Sequence, residues 1–397
     1  MKTSGIICEY NPFHKGHAYL IEEAKKSADV LVCVMSGHFT QRGEVAVLDK
    51  YSRAKTAILG GADLVLELPM PFSAASARYF ATAGVRLLSM MAVNTLVFGS
   101  ESGEVSTLSD MAEYSLSEKF LREIEKAPPG EGSATVYFGA LCGEGKSRLL
   151  PNDILAVEYL RAIKKESLSM AALAIPRVGD GFSNVTLGSS EYASATALRR
   201  ALTEVGTDGL DAYMPDFALS ELKMALEREE APATLALAER AILSFFRLTA
   251  PEVLSQMAGL GGGLGGRLCA CAKESQSLEA LLQCCATKRY TDATVRRALL
   301  FAMLGITFED LDCGVAYSTV LAANEKGRAL LSSRRKHKLP LLTKPSDVEG
   351  LCRAFPEKKE AILRQAEISA RADSLYSLCL PKAAKAGKYL RSGAVML

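Results

Sequence analysis

Apolar runs alternate with helix-period segments along residues 1–200. Continuous apolar runs of about four to eight residues are typical of strands buried on both faces, and apolar residues recurring every three or four positions are typical of amphipathic helices. The runs that predict strands are 3–9, 30–35, 63–68, 94–98 and 170–175. The segments that predict helices are 16–28, 50–61, 74–91 and 152–165. This alternation predicts a Rossmann-like α/β domain, in which a parallel sheet carries helices on both faces.

The strand pattern is expected to stop near residue 205, and amphipathic helices follow it. They are predicted in DFALSELKMALEREE, ATLALAERAILSFFRL, SLEALLQCCA, DATVRRALLFAMLG and EKKEAILRQAEISARADSLYSLCL. The segment 205–217 contains glycine, aspartate and proline and is the predicted boundary. We therefore expect two domains, an α/β domain at residues 1–205 and a mostly α-helical domain at residues 206–397.

The composition is that of a soluble globular protein, since 49% of the residues are hydrophobic and 23% are charged. The most apolar runs, such as NTLVFG, are far shorter than the roughly 20 residues that span a bilayer. The N-terminus leads directly into a strand, so we expect no signal peptide. The ten cysteines are scattered without C-x-x-C spacing. We therefore expect reduced thiols in a cytoplasmic protein that has no membrane segment.

Net charge is only +2, but basic residues are concentrated near the C-terminus. Residues 321–397 hold 16 basic and 7 acidic residues, and the densest cluster is RRKHK at 334–338. A basic region joined to a near-neutral one indicates an anionic macromolecular partner, because cations that contact phosphates release counterions. On composition alone, the alternative is that these charges are the solvated faces of surface helices.

Two of the four histidines lie in NPFHKGH, where the first predicted strand ends. His14 and His17 flank a glycine at the start of a predicted helix. A helix N-terminus presents free N–H groups and a positive dipole end, and imidazoles can donate further N–H bonds to phosphate oxygens. A metal site would need a third protein ligand, for which Cys8 or Glu9 and His38 are the candidates. This context favours a phosphate cradle over a metal site or a buried packing pair.

A second motif, ASATALRRAL, places Ser194, Thr196 and Arg199 at the start of another predicted helix. A strand followed by H-x-G-H, with S-x-T-x-x-R late in the same α/β domain, resembles the nucleotidyltransferase superfamily. Its members attack the α-phosphate of ATP and release pyrophosphate. The resemblance implies that His14 and His17 stabilise the charge developing at the α-phosphate and that Arg199 stabilises the departing pyrophosphate.

Longer stretches resemble one family within this superfamily, the bacterial tRNA(Met) cytidine acetate ligases. They are EYNPFHKGH, MSGHFTQRGE, DKYSRAKTAILGGADLVLELP, FGSE, PNDILAVEY, IPRVGDGF and KRYTDATVRRALLFAMLGI. The resemblance implies an enzyme that activates acetate with ATP as acetyl-adenylate. The acetyl group then passes to the exocyclic amine of the wobble cytidine of elongator tRNA(Met), giving N4-acetylcytidine. The alternative is a small-molecule adenylyltransferase of the same superfamily that makes a dinucleotide cofactor, which leaves the basic C-terminal helices unexplained.

The resemblance also implies an ATP site, carried over residue by residue. It comprises Ile7, Cys8, Glu9, Tyr10, Asn11, Pro12, Phe13, His14, Lys15, Gly16, His17, Ala18, Tyr19, Leu20, Gly99, Asn152, Arg177, Ser194 and Thr196. Mg²⁺ is expected to arrive with ATP and to have few protein ligands, so no metal site built by the protein is predicted. His38, Asp153 and Ala156 depart from the residues expected in the family, which affects the acyl pocket.

Two further expectations concern the second step. Transfer of the acetyl group to an amine needs a proton acceptor, for which Asp49 and Glu101 are candidates. Contacts to RNA phosphates are expected from basic residues in KRYTDATVRRALL and in the C-terminal cluster. These residues are Lys288, Arg289, Arg296, Arg297, Arg334 and Arg335. For the first four, ordinary surface pairs one helical turn apart are the alternative.

Overall fold

A computed structural model of the chain describes residues 1–125, 133–142, 149–177, 192–334, 337 and 339–397. In these residues, eight strands form a sheet: β1 Thr3–Cys8, β2 Val30–Ser36, β3 Leu64–Leu68, β4 Thr95–Ser100, β5 Ala171–Pro176, β6 Ser318–Ala323, β7 Leu341–Leu342 and β8 Val395–Met396. Their order across the sheet is β5-β4-β1-β2-β3-β6-β7, and β8 also pairs with β6. The sheet therefore has β1, β2 and β3 near its centre.

The first five strands form the predicted parallel sheet. β1 lies between β2 and β4, β3 flanks β2, β5 flanks β4, and all four pairings are parallel. β2 is buried at every position, because Leu31 and Cys33 face one core while Val32 and Val34 face the other. Burial on both faces explains why its sequence is a continuous apolar run. All five predicted strands are confirmed.

Helices cover both faces of this parallel sheet, as predicted. α1 and α2 pack on one face through residues such as Ile21 and Ala57. α3 and α7 pack on the other face through residues such as Leu88 and Leu160. The helices of this part of the chain are α1 Lys15–Lys25, α2 Lys50–Leu59, α3 Ala77–Met90, α4 Val105–Tyr114, α5 Glu118–Glu125, α6 Ser133–Cys142, α7 Pro151–Lys165 and α8 Ala195–Val205.

The C-terminal region is mostly helical, as predicted. Its helices are α9 Asp216–Glu227, α10 Glu239–Leu248, α11 Pro251–Leu254, α12 Leu264–Glu274, α13 Leu278–Cys285, α14 Asp292–Leu304, α15 Phe308–Asp312, α16 Glu325–Arg334, α17 Val348–Ala354 and α18 Lys359–Leu378. The five segments predicted as amphipathic contain α9, α10, α13, α14 and α18. Across the described ranges, no helix is both long and apolar enough to cross a bilayer.

Three strands lie beyond residue 205, so the expectation that strands stop there is wrong. β6 is buried at every position and pairs antiparallel with β3, which extends the sheet. β7 and β8 have two residues each and pair with β6. Two residues are too few to show an alternating pattern. These strands form because β6 lies beside them. The sheet takes strands from both sides of residue 205, and the division into two domains there stays a prediction.

One pair of cysteines corrects the expectation of ten reduced thiols. Cys271 of α12 and Cys284 of α13 form a disulfide, with their Cα atoms 5.8 Å apart. The spacing of the cysteines does not predict this disulfide, because the pairing depends on how two successive helices pack against each other. The other eight cysteines are free.

Candidate active site

A cavity of about 840 Å³ lies where the parallel strands end. Parallel strands finish at one edge of a sheet, so the loops after β1, β2, β4 and β5 meet there. Residues of α3, α6, α7, α8 and α14 complete its wall. The charged side chains described in the wall are six arginines and four carboxylates, namely Arg42, Arg78, Arg177, Arg199, Arg296, Arg297, Glu9, Glu44, Glu158 and Asp292. The excess of positive charge suits an anionic ligand.

The two histidines after β1 are held in one protonation tautomer by the backbone of α1. His14 is the N-cap residue, and its Nδ1 accepts the backbone N–H of Gly16 at 3.1 Å. Nδ1 of His17 accepts the backbone N–H of His14 at 3.3 Å, which closes a reciprocal capping box. The rings stack with their centroids 3.6 Å apart. Because both Nδ1 atoms are acceptors, each proton is on Nε2, and both rings line the cavity as N–H donors.

Both imidazoles are neutral near pH 7. Burial lowers the pKa of His14 to about 3, and the charges of Arg177 and Arg199 act in the same direction. Burial also lowers the pKa of His17 well below its usual value, with His14 and Arg177 adding to the effect. The histidines therefore offer hydrogen bonds to an anion, while the arginines supply positive charge.

Arg199 connects the two sequence motifs. Ser194 caps α8, since its hydroxyl accepts the N–H of the residue three positions later. One turn into that helix, Arg199 donates through Nη1 to the carbonyl oxygen of Asn11 at 2.9 Å. Its Nη2 donates to the carboxylate of Glu44 at 2.6 Å and to the hydroxyl of Thr196 at 3.3 Å. The guanidinium is therefore held beside the histidine turn from which it is distant in sequence.

Helix α14, from the C-terminal region, brings two more arginines to the cavity. Arg296 donates to the second carboxylate oxygen of Glu44 at 3.4 Å, so Glu44 bridges Arg296 and Arg199. Arg297 donates to the carbonyl oxygen of Gln41 at 3.4 Å. Burial and, to a smaller extent, the nearby charge of Arg42 together lower the pKa of Arg297 to about 10. The loop after β2 is thus in contact with α14 at the cavity.

Most of the residues predicted for the ATP site are brought together here. Those in the wall are Ile7, Cys8, Glu9, Tyr10, Asn11, His14, Gly16, His17, Tyr19, Leu20, Gly99, Asn152, Arg177, Ser194, Thr196 and Arg199. Pro12, Phe13, Lys15 and Ala18 are not among the wall residues. Phe13 is buried, with its ring 5.0 Å from that of Tyr10 and 5.6 Å from that of Phe217. It therefore supports the turn from behind.

Asp153 and Glu101 each accept hydrogen bonds from backbone N–H groups at and beside the other residue. The carboxylate of Asp153 accepts the backbone N–H of Glu101 and of Ser102, both at 3.1 Å. The carboxylate of Glu101 accepts the backbone N–H of Asp153 at 2.9 Å and of Asn152 at 3.3 Å. Asp49 likewise caps α2. Neither Glu101 nor Asp49 is a wall residue, so neither carboxylate faces a reactant in the cavity.

The other two departures from the family pattern are buried away from the cavity. Ala156 packs in the core beneath α7. His38 stacks on Tyr376, with centroids 4.0 Å apart, and shares a 2.8 Å hydrogen bond with Asp373 of α18. Asp373 also pairs with the buried Lys50 at 3.4 Å. His38 therefore ties the loop after β2 to the C-terminal helix.

The residues predicted to contact RNA lie in different places. Lys288 and Arg289 are exposed immediately before α14, whereas Arg296 and Arg297 line the cavity. Arg334 is half-buried and donates to the carbonyl oxygen of Met90 at 3.2 Å. Arg335 lies outside the described residues.

Charged wall residues that were not among the predicted site residues include Arg42, Glu44 and Arg78. Arg78 is in the first turn of α3, which follows β3. The position of Arg78 in the wall could have been predicted, because the segments that follow the strands of a parallel sheet all begin at the same edge of the sheet. Arg42 and Glu44 belong to the loop 37–49, whose path depends on contacts with α14 that the sequence does not encode locally.

Side chains that could ligate a metal do not cluster in the described part of the chain: no group of three or more His, Cys, Asp or Glu residues is positioned for it. Mg²⁺ keeps most of its water ligands and is often bound through substrate phosphates.

The parallel sheet, the paired histidines after its first strand and the arginine in the first turn of α8 define a class of enzyme, the nucleotidyltransferases with an HxGH motif. A family model described as HIGH nucleotidyl transferase matches residues 1–389. The tRNA(Met) cytidine acetate ligase of Acetivibrio thermocellus is 32% identical, with 100% of both chains covered. The same-named protein of Thermosipho africanus is 35% identical, covering 87% of this chain and 85% of that protein.

The likeness extends to solved structures. The crystal structure of Thermotoga maritima TmcAL bound with alpha-thio ATP has a TM-score of 0.92 and 30% sequence identity, with 100% of both chains covered. The apo form of the same protein gives the same values. The chain belongs to the tRNA(Met) cytidine acetate ligase family. These relatives do not favour the alternative of a small-molecule adenylyltransferase.

Proposed function

We propose that this protein uses ATP to activate acetate as acetyl-adenylate and then acetylates the exocyclic amine of the wobble cytidine in elongator tRNA(Met). The observation that carries the proposal is the meeting of His14, His17 and Arg199 on one wall of an arginine-rich cavity, in a chain whose relatives are named for this substrate. The Thermotoga maritima relative was crystallised with an ATP analogue, which supports ATP as the nucleotide.

In the first step, a carboxylate oxygen of acetate attacks the α-phosphorus of ATP and pyrophosphate leaves. His14 and His17 donate Nε2–H bonds to the α-phosphate oxygens, whose negative charge increases in the transition state. Arg199 binds the departing pyrophosphate. Acetate is an anion at neutral pH, so this step needs positioning and no proton acceptor. A magnesium ion held by the ATP phosphates would screen their charge.

In the second step, the cytidine amine attacks the acetyl carbonyl carbon and AMP leaves. The acceptor must reach the cavity from a folded RNA, and the rim of the cavity carries exposed basic residues. Lys288 and Arg289 are separated by one residue from Thr291 and Asp292, which are wall residues. We assign Lys288 and Arg289 to RNA phosphate contacts, with Arg334 and Arg335 as further contacts. Arg296 and Arg297 act within the cavity.

The test is incorporation of labelled acetate into a tRNA(Met) transcript by the purified protein with ATP. Mass analysis of the wobble nucleoside should give acetylcytidine. A transcript with uridine at the wobble position is the matched control, because it lacks the exocyclic amine and should stay unlabelled. An ATP analogue with a methylene group between the α- and β-phosphorus should abolish incorporation. Folded protein that labels no transcript would disprove the proposal.

A further inference from the structure

Glu9 projects from the end of β1 into a cavity built for anions. It is half-buried and lines the wall. Its Oε1 accepts the backbone N–H of Gln41 at 2.7 Å, while Oε2 accepts no hydrogen bond from the described residues. Arg53 donates to the carbonyl oxygen of Glu9 at 2.6 Å and so fixes its backbone. The carboxylate is therefore held in place through one oxygen and presents the other to the cavity.

The other three wall carboxylates are bound by arginines. Glu44 gives one oxygen to Arg199 and the other to Arg296. Asp292 pairs with Arg296 at 2.8 Å. Glu158 is deeply buried, 3.9 Å from Arg161 on the same helix. For Glu44 and Asp292 the arginine partners balance the carboxylate charge, whereas for Glu158 burial raises the pKa and Arg161 and Arg78 oppose that rise.

The surroundings of Glu9 suit a base. Burial is the largest effect on its carboxyl group and raises the pKa, and repulsion from Glu44 acts in the same direction. Arg199 from α8 and Arg53 from α2 oppose this rise but do not reverse it. On the side of α7, burial raises the pKa of Tyr159, and the charge of Glu9 adds to that rise. The carboxylate thus lies between the arginine-lined part of the wall and the part formed by α7.

A carboxylate in this position opposes the binding of both ATP and acetate, because like charges repel strongly in a partly desolvated site. The phosphates of ATP and the carboxylate of acetate carry no proton to donate to it, so ATP could donate only through its ribose hydroxyls or its adenine amine. The remaining reactant of the proposed function is an amine, which has protons to donate. Among the described wall carboxylates, Glu9 is the one that forms no ion pair with an arginine, and its Oε2 can accept such a proton.

We propose that Glu9 is the proton acceptor for acetyl transfer, an inference that rests on the proposed function. The amine nitrogen of cytidine forms a bond to the acetyl carbon, and the bond between that carbon and the phosphate oxygen of AMP breaks. AMP leaves with the electron pair of that bond. One N–H proton moves from the attacking nitrogen to Oε2 of Glu9 and later passes to water. No oxidant, reductant or further reactant is needed.

The test separates the two steps in Glu9→Gln. Glutamine keeps the shape and the oxygen that accepts from Gln41, and it loses the basic oxygen. Acetate-dependent exchange between pyrophosphate and ATP, which reports the first step, should stay within about threefold of wild type. Transfer to tRNA(Met) from pre-formed acetyl-adenylate should fall by about 10²- to 10⁴-fold, the usual contribution of a general base. Glu22→Gln, an exposed glutamate on α1, is the matched control and should change neither rate.

A second measurement uses the wild type alone. Its transfer rate from acetyl-adenylate should rise with pH across the raised pKa of Glu9 and then level off, while the residual rate of Glu9→Gln should lack that rise. Equal loss of both steps in Glu9→Gln would assign Glu9 to ATP binding and overturn the inference, as would unchanged transfer. If wild type makes acetyl-adenylate but labels no tRNA, the proposed function fails, and the inference fails with it.

Discussion

Arg199 and Glu44 form an ion pair of 2.6 Å at the wall of the cavity, and neither side chain is deeply buried. The same guanidinium also bonds Asn11 and Thr196. An ammonium group cannot reproduce three directed contacts from a planar fork. The value of Arg199 therefore lies in its geometry as well as in its charge.

This relationship predicts the effect of Arg199→Lys. We expect acetate-dependent pyrophosphate formation to fall by at least about tenfold, with little change in melting temperature, because partly exposed ion pairs contribute about 1 kcal/mol or less. Arg200→Lys is the control one residue along, since Arg200 is exposed and pairs with Glu204. Steady-state rates at saturating ATP measure the effect. Equal rates for the two variants would contradict it.

Nδ1 of His14 caps α1 and Nε2 is proposed to bind the α-phosphate, so the roles of the two nitrogens can be tested separately. Asparagine is a good N-cap and can accept the Gly16 N–H, but it has no donor at the position of Nε2. We expect His14→Asn to lose roughly 10²- to 10³-fold in pyrophosphate formation and to keep nearly all its stability. His14→Ala should lose the same activity and about 1 kcal/mol of stability in addition. An active His14→Asn would show that Nε2 has no role.

The lowered pKa of His14 predicts a pH dependence of stability. The folded state binds this proton only near pH 3, whereas the unfolded chain binds it at about pH 6.5. The unfolded state therefore takes up more protons, and acid destabilises the fold as pH falls below about 6.5. We expect the free energy of unfolding of wild type, relative to His14→Asn, to decrease between about pH 7.5 and pH 4.5. Urea titrations at the two pH values measure this difference, and an unchanged difference would refute it.

The local elements of this site could be predicted, because their signals are short in range. The run VLVCVM is buried on both faces of one strand, and NPFHKGH contains both the cap and the donors of one helix. What could not be predicted depends on long-range packing. β8 is two residues long and exists only beside β6. Arg296 has the sequence pattern of a surface helix, and its place in the cavity depends on its long-range ion pair with Glu44.

The glycine of the motif has a steric reason that yields another prediction. A Cβ at Gly16 would lie 3.0 Å from Cε1 and 3.1 Å from Nδ1 of His14, so the imidazole would have to move. We expect Gly16→Ala to slow pyrophosphate formation by about tenfold, since small displacements of reacting groups have large effects. Its stability should not fall, because alanine favours helix.

The control is Gly266→Ala on α12, where the added Cβ meets nothing within 4 Å. It should raise stability by up to about 1 kcal/mol and leave the rate unchanged. A Gly16→Ala enzyme as fast as the control would remove the steric argument.

The exposed pair before α14 predicts how RNA binding responds to salt. If Lys288 and Arg289 each contact a phosphate, the double variant Lys288→Ala/Arg289→Ala should bind tRNA(Met) more weakly at low salt. The magnitude of the negative slope of log affinity against log salt should decrease by about 2, because each lost phosphate contact removes about one released counterion.

The control is Lys119→Ala/Arg122→Ala, which removes the same charge from exposed positions on α5, a helix that contributes no wall residue. It should leave the slope unchanged. Both affinities are measured by filter binding over a salt series. Equal slopes for the two double variants would mean that the RNA approaches the cavity from another side.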